Sequence, residues 1–126
     1  MRSEEFIAHV VDPDPAIIDG LTTLLDTYRM RVQSYPDARS FLEAWSRGHV
    51  RGGCVLVEAK LPDLSGPALL QLLADNDGAI PVILLVSTFG PELLEIARSC
   101  DRIRILQKPF SDTELVDTLL ELRRAH

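Results

Sequence analysis

The sequence predicts an α/β domain built on a parallel sheet doubly wound with helices on both faces, and three observations predict it. Short apolar runs alternate with amphipathic stretches five times along the 126 residues. Runs without polar interruption suit strands covered on both faces, as parallel strands are. Clusters of Asp, Pro, Gly and Ser punctuate the boundaries, so strand and helix patterns alternate rather than segregate, which is the order of a (βα)5 chain.

The elements follow in chain order. Phe6 to Val11 is an apolar run that ends at Asp12-Pro13-Asp14-Pro15 and reads as a buried strand. Ile17, Ile18, Leu21, Leu24, Leu25 and Tyr28 then recur at helical spacing, with Asp14 as a suitable N-cap and Pro15 as a suitable first helical residue. Arg31 to Tyr35 forms a second strand, and Asp37 caps a short helix carrying Phe41, Leu42 and Trp45. Gly52-Gly53 precedes a third strand, Cys54 to Val57. Pro62-Asp63 and Ser65-Gly66 make a turn into a helix with Leu69, Leu70, Leu72 and Leu73, which Asp75 to Gly78 end. Val82 to Val86, the most apolar run, belongs inside the sheet. Pro91 opens a helix with Leu93, Leu94, Ile96 and Ala97, and Ile103 to Leu106 gives the fifth strand. Ser111 and Glu114 form a capping box for the last helix, which carries Leu115, Val116, Leu119, Leu120 and Leu122. Crossovers should be right-handed.

The chain length fits one domain, residues 1–126. A net charge of −6 argues against direct nucleic-acid binding, which needs a basic footprint. No stretch approaches the roughly 20 apolar residues of a membrane span, and the polar start, Met1 to Glu5, is not that of a signal peptide, so a cytoplasmic protein is expected. Cys54 and Cys100 form no C-x-x-C pair and are expected as buried small hydrophobes. His9 and His49 stand isolated and receive no role; His126 is terminal, and Trp45 is expected in the core.

Sheets of this kind place their sites beyond the C-terminal strand ends. The informative residues are therefore Asp12 to Asp14, Glu58 to Lys60, Val86 to Thr88 and Gln107 to Pro109. From Phe6 to about Arg124 the chain resembles the response-regulator receiver family. The resemblance is carried by Leu61-Pro62-Asp63-Leu64-Ser65-Gly66 after the third strand, by Lys108-Pro109-Phe110 after the fifth, and by Val10-Val11-Asp12 at the end of the first. It implies a flavodoxin-like (βα)5 fold, a five-stranded parallel sheet of order 2-1-3-4-5, with a cis peptide before Pro109. It also implies a chemistry in which an Asp after the third strand takes a phosphoryl group. Two acidic residues after the first strand help that Asp to hold Mg²⁺, and a Lys contacts the phosphoryl oxygens. A Thr or Ser after the fourth strand and an aromatic on the fifth report the change.

The residues at those positions depart from the pattern. The phosphoacceptor position holds Glu58, whose carboxylate reaches about 1.5 Å further than that of Asp, a misplacement that matters to in-line transfer. Asp12 is present, but Pro13 occupies the second acidic position. Val86 replaces the Thr, with Ser87 beside it pointing the other way by strand alternation, and Ile105 replaces the aromatic. Lys108 and Pro109 keep the pattern. Asp14 is a candidate pocket acid, but the N-cap role is the simpler explanation of it.

The resulting expectation is a pseudo-receiver. It is a phosphorylation-independent interaction and regulatory module in signal transduction, with no catalytic residues, no resident cofactor and weak or absent Mg²⁺ binding. Glu58 and Lys108 should pair across the strand ends. An alternative reading has Glu58 imitate a phosphorylated Asp, though with less charge than a phosphoryl group carries. Two other readings stay open: a working phosphoacceptor using Asp12 and Asp14, and a small-ligand sensor controlling a DNA-binding output domain. The resemblance implies protein partners: an output domain, a histidine kinase, and a second copy through the fourth helix, fifth strand and fifth helix. That face mixes Arg98, Arg102, Arg104, Arg123 and Arg124 with Glu92, Glu95, Asp112, Glu114 and Asp117.

Overall fold

A computed structural model describes residues 6–75, 80–88 and 90–125. The five strand–helix units appear as the periodicity requires. They are β1 (Phe6–Val11), α1 (Pro15–Asp26), β2 (Met30–Tyr35), α2 (Ala38–Ser46), β3 (Gly53–Glu58), α3 (Gly66–Ala74), β4 (Val82–Val86), α4 (Pro91–Ser99), β5 (Ile103–Gln107) and α5 (Asp112–Ala125). All pairings are parallel, and the strand order is β2-β1-β3-β4-β5. The expected stop of α3 at Asp75 to Gly78 is seen in part: Asp75 is the C-cap, and 76–78 lie outside the described residues, as do Met1 to Glu5 and His126.

Strand alternation divides the core into two halves. One half holds Ala8, Val10, Cys54, Leu56, Ile83 and Leu85, covered by Leu25 of α1 and by Leu115, Leu119 and Leu122 of α5. The other holds Val11, Val55, Val57, Leu84 and Val86, covered by Phe41 of α2 and by Leu69, Leu70 and Leu73 of α3. Local signals set the helix starts. Asp14 accepts from the Ala16 amide, Asp37 from Ser40, and Ser65 from Ala68. The Ser111–Glu114 capping box closes in both directions at 3.1 and 3.0 Å.

Four expectations change. Tyr28 lies beyond α1, where the chain turns through Arg29 at φ 60°, and it is exposed. Ile17 and Leu72 keep helical spacing yet are exposed, because no element among the described residues covers them. No residue of α4 is fully buried, so its apolar stripe only leans on the sheet. Cys54 is buried, and burial pushes its thiol up, but Cys100 is only half-buried.

His9, which its isolation left without a role, is a buried structural residue. Its Nδ1 lies 3.0 Å from the Tyr35 hydroxyl and its Nε2 3.1 Å from the Arg51 carbonyl. The carbonyl only accepts, so Nε2 carries the proton and Nδ1 accepts from Tyr35. Burial holds the imidazole below its ordinary value, against a smaller opposing effect of the Arg51 carbonyl. The unfolded chain therefore binds this proton more readily. The contribution of neutral His9 is complete above the unfolded value of about 6.5 and is lost as pH falls through the lower folded value. Stability should decline on acidification from pH 7 to 5, and His9→Gln should flatten that decline. Urea unfolding at each pH measures both; an equally steep decline in the variant would assign it elsewhere.

Candidate functional site

The C-terminal strand ends bring four segments together. Asp12 follows β1, Glu58 ends β3, Val86 ends β4, and Lys108 follows β5. Parallel register makes this convergence unavoidable: Glu58 stands beside Leu85, and the Lys108 amide donates to the Val86 carbonyl at 2.7 Å. The Lys108–Pro109 peptide is cis, as the resemblance implies.

Glu58 folds over the pocket. Its Oε1 takes the Lys108 ammonium in an ion pair, as the strand ends predict, and its Oε2 accepts from the Lys60 amide at 3.3 Å. The Glu58 side chain is mostly covered, at 14% exposure, whereas that of Lys108 is 39% exposed. The pair therefore works through geometry more than energy, since solvent screens a half-open pair to about 1 kcal/mol or less.

Asp12 is buried, and its Oδ1 accepts from the Asp14 amide at 2.8 Å. Burial pushes its carboxyl above the ordinary value; the Asp14 amide opposes this and Glu58 reinforces it. Pro13 is exposed, and its ring carries no oxygen. The Asp14 carboxylate is exposed and caps α1 through the Ala16 amide at 2.9 Å. Val86 is buried, Ser87 is exposed beyond it, and Ile105 is half-buried against the α2–α4 side of the core. The pocket thus joins Asp12, Glu58 and Lys108, while Val86 and Ile105 present only hydrocarbon. Among the described residues, no group of three or more His, Cys, Asp or Glu side chains is placed to hold a metal ion.

The loop after β3 is fixed from two sides. A Cβ at Gly66 would lie 2.5 Å from the Ala59 Cα and 2.7 Å from the Glu58 carbonyl oxygen, so glycine is what lets α3 start against the strand that carries Glu58. Asp63 accepts from the amides of Ala38 at 3.0 Å and Arg39 at 2.9 Å, tying the same loop to the start of α2. Desolvation pushes the Asp63 carboxyl up, but the amides of Arg39, Ala38, Asp63 and Leu64 together hold it below the ordinary carboxylate range. The loop motif marked Asp63 in the sequence, but the helix it holds is 25 residues away, and no local signal names it.

Residues 8–120 match the family described as response regulator receiver domain. The transcriptional regulatory protein FixJ of Bradyrhizobium diazoefficiens is 30% identical over 107 residues, covering 85% of this chain and 51% of that protein. TdiR of Thauera aromatica is 30% identical over 111 residues, covering 87% of this chain and 48% of that protein. The chain therefore spans about half the length of these relatives. Among solved structures, the receiver domain of the Francisella response regulator 1452 superposes with a TM-score of 0.82 at 24% identity, covering 97% of this chain and all of that one. The signal receiver domain of a Pseudomonas fluorescens HD domain-containing protein gives 0.80 at 25% identity, covering 98% of this chain and 91% of that one. With the strand order in agreement, the chain belongs to the response regulator receiver domain family.

Proposed function

We propose that this receiver domain acts in signal transduction as a phosphorylation-independent interaction module whose pocket is closed by its own side chains. The observation that carries the reading is the Glu58–Lys108 ion pair, which puts a carboxylate on the lysine that would otherwise contact a phosphoryl group. The surrounding donor set does not fit Mg²⁺: Pro13 offers no oxygen from its side chain, and Asp14 is spent on the α1 cap. Val86 and Ile105 further remove the hydroxyl and the aromatic ring through which a phosphoryl signal would be read.

Regulation then passes through protein contacts. The relatives are transcriptional regulators, which supports an output domain as one partner. A second copy through α4, β5 and α5 and a histidine kinase are further partners in this reading. No helix among the described residues is long and apolar enough to cross a membrane.

Intact mass after incubation with Mg²⁺ and acetyl phosphate tests the proposal. The wild type should gain no phosphoryl mass. Glu58→Asp alone should also gain none, because Pro13 still withholds an acidic ligand, whereas Glu58→Asp with Pro13→Asp should gain it. A wild-type adduct on Glu58 would make the domain a phospho-switch and end the proposal.

A further inference from the structure

The α1–α5 side of the sheet carries a groove of about 350 Å³ that opens beside the strand-end pocket. The volume lies within the range of small-molecule sites, roughly 300–1,000 Å³. Its walls are Ile17, Leu21 and Leu24 of α1, with Leu85 and Phe110 opposite. Ile17 is 45% exposed there, so among the described residues apolar surface on this wall is left without a cover.

Gly20 lines the same groove from the middle of α1. A glycine in a helix interior is destabilising relative to alanine. Nothing within the fold accounts for it, because a Cβ at Gly20 would meet no atom within 4 Å. The missing side chain instead deepens the groove and lets a guest approach the helix backbone.

The polar groups sit at one end. They are Asp12, Asp112 in the first turn of α5, and Lys108, the only cation among the lining residues. The Lys108 ammonium is already engaged by Glu58. The groove therefore offers an apolar trough ending in two carboxylates whose nearest lining cation is occupied.

We infer that the α1–α5 groove is a ligand site for a small amphiphile with an apolar body and a single cationic head, of the alkylammonium class. The hydrocarbon lies along Ile17, Gly20 and Leu24, and the ammonium meets Asp112 and Asp12. The inference rests on the reading of Lys108 as held by Glu58; phosphoryl mass reports on that reading without any ligand, so the two can fail separately.

The test is an amide-resolved NMR titration of the full chain with n-octylammonium, with octanol and octanoate alongside. Saturable shifts should centre on Gly20, Leu21 and Phe110, with octylammonium binding tightest and octanoate weakest. Asp112→Asn should weaken octylammonium by up to about fivefold, the scale of one exposed ion pair, and leave octanol unchanged. Gly20→Leu should abolish binding of all three while raising the melting temperature, because it fills the groove and restores helix propensity. Octanoate binding as tightly as octylammonium, shifts centred elsewhere, no saturable shifts, or undiminished binding by a folded Gly20→Leu variant would each overturn the assignment.

Discussion

Gly53→Ala is expected to cost about 3 kcal/mol or more, at or beyond the upper end of ordinary overpacking. Gly53 opens β3 and stands in register with Ile7 of β1. A Cβ there would fall 1.7 Å from the Ile7 carbonyl oxygen and 2.6 Å from its carbonyl carbon and amide nitrogen. The obstacle is backbone, so no rotamer change relieves it. Ile7 cannot retreat either, because β1 is paired on its other side to β2 through Arg31, and its amide is bonded to the Gly52 carbonyl at 2.9 Å. The two strands that present Asp12 and Glu58 would have to part at their N-terminal ends. Urea unfolding of wild type and variant measures the loss; a difference below about 1 kcal/mol would mean that the start of β3 yields more easily than its pairing implies.

Phe41→Ala is expected to cost about 3–5 kcal/mol, the usual range for deleting a fully buried aromatic side chain. Phe41 has no exposure and sits between Tyr35, in edge contact at 5.3 Å and 85°, and Trp45 at 6.0 Å and 39°. It is the largest fully buried side chain of α2, so the cavity would open directly beneath that helix. Against a typical total of about 5–15 kcal/mol this is a large fraction of the stability. Thermal and urea unfolding should both show it, and Phe41→Leu should recover a good part. A loss in Phe41→Ala under about 1.5 kcal/mol would show that α2 collapses into the space.

The same two sites mark what sequence reading reaches. Phe41 was legible as core because it follows an N-cap at helical spacing, and the cap and the spacing are both local. Gly53 was legible only as punctuation. Its closeness to Ile7 depends on a strand pairing made across more than 40 intervening residues. The Glu58–Lys108 pair was legible for a different reason. Family register assigns both residues to the C-terminal edge of the sheet, at β3 and β5 with β4 between them, and two opposite charges there have an obvious partner in each other. His9 and Asp63 lacked any such pointer. An isolated histidine in an apolar strand announces burial but not its partners, and Tyr35 and the Arg51 carbonyl come from separate segments.

By itself the sequence determined the five βα units, the capping residues and the central burial of β4. These rest on periodicity, capping chemistry and residue type, all of which act within a few residues along the chain. Tertiary structure alone decided that Asp63 ties the site loop to α2, that Ile17 and Leu72 remain exposed and that a groove runs between α1 and the start of α5. Helical spacing says which residues share a face. What lies against that face is set by the crossovers of the sheet, which bring together segments that no local pattern connects.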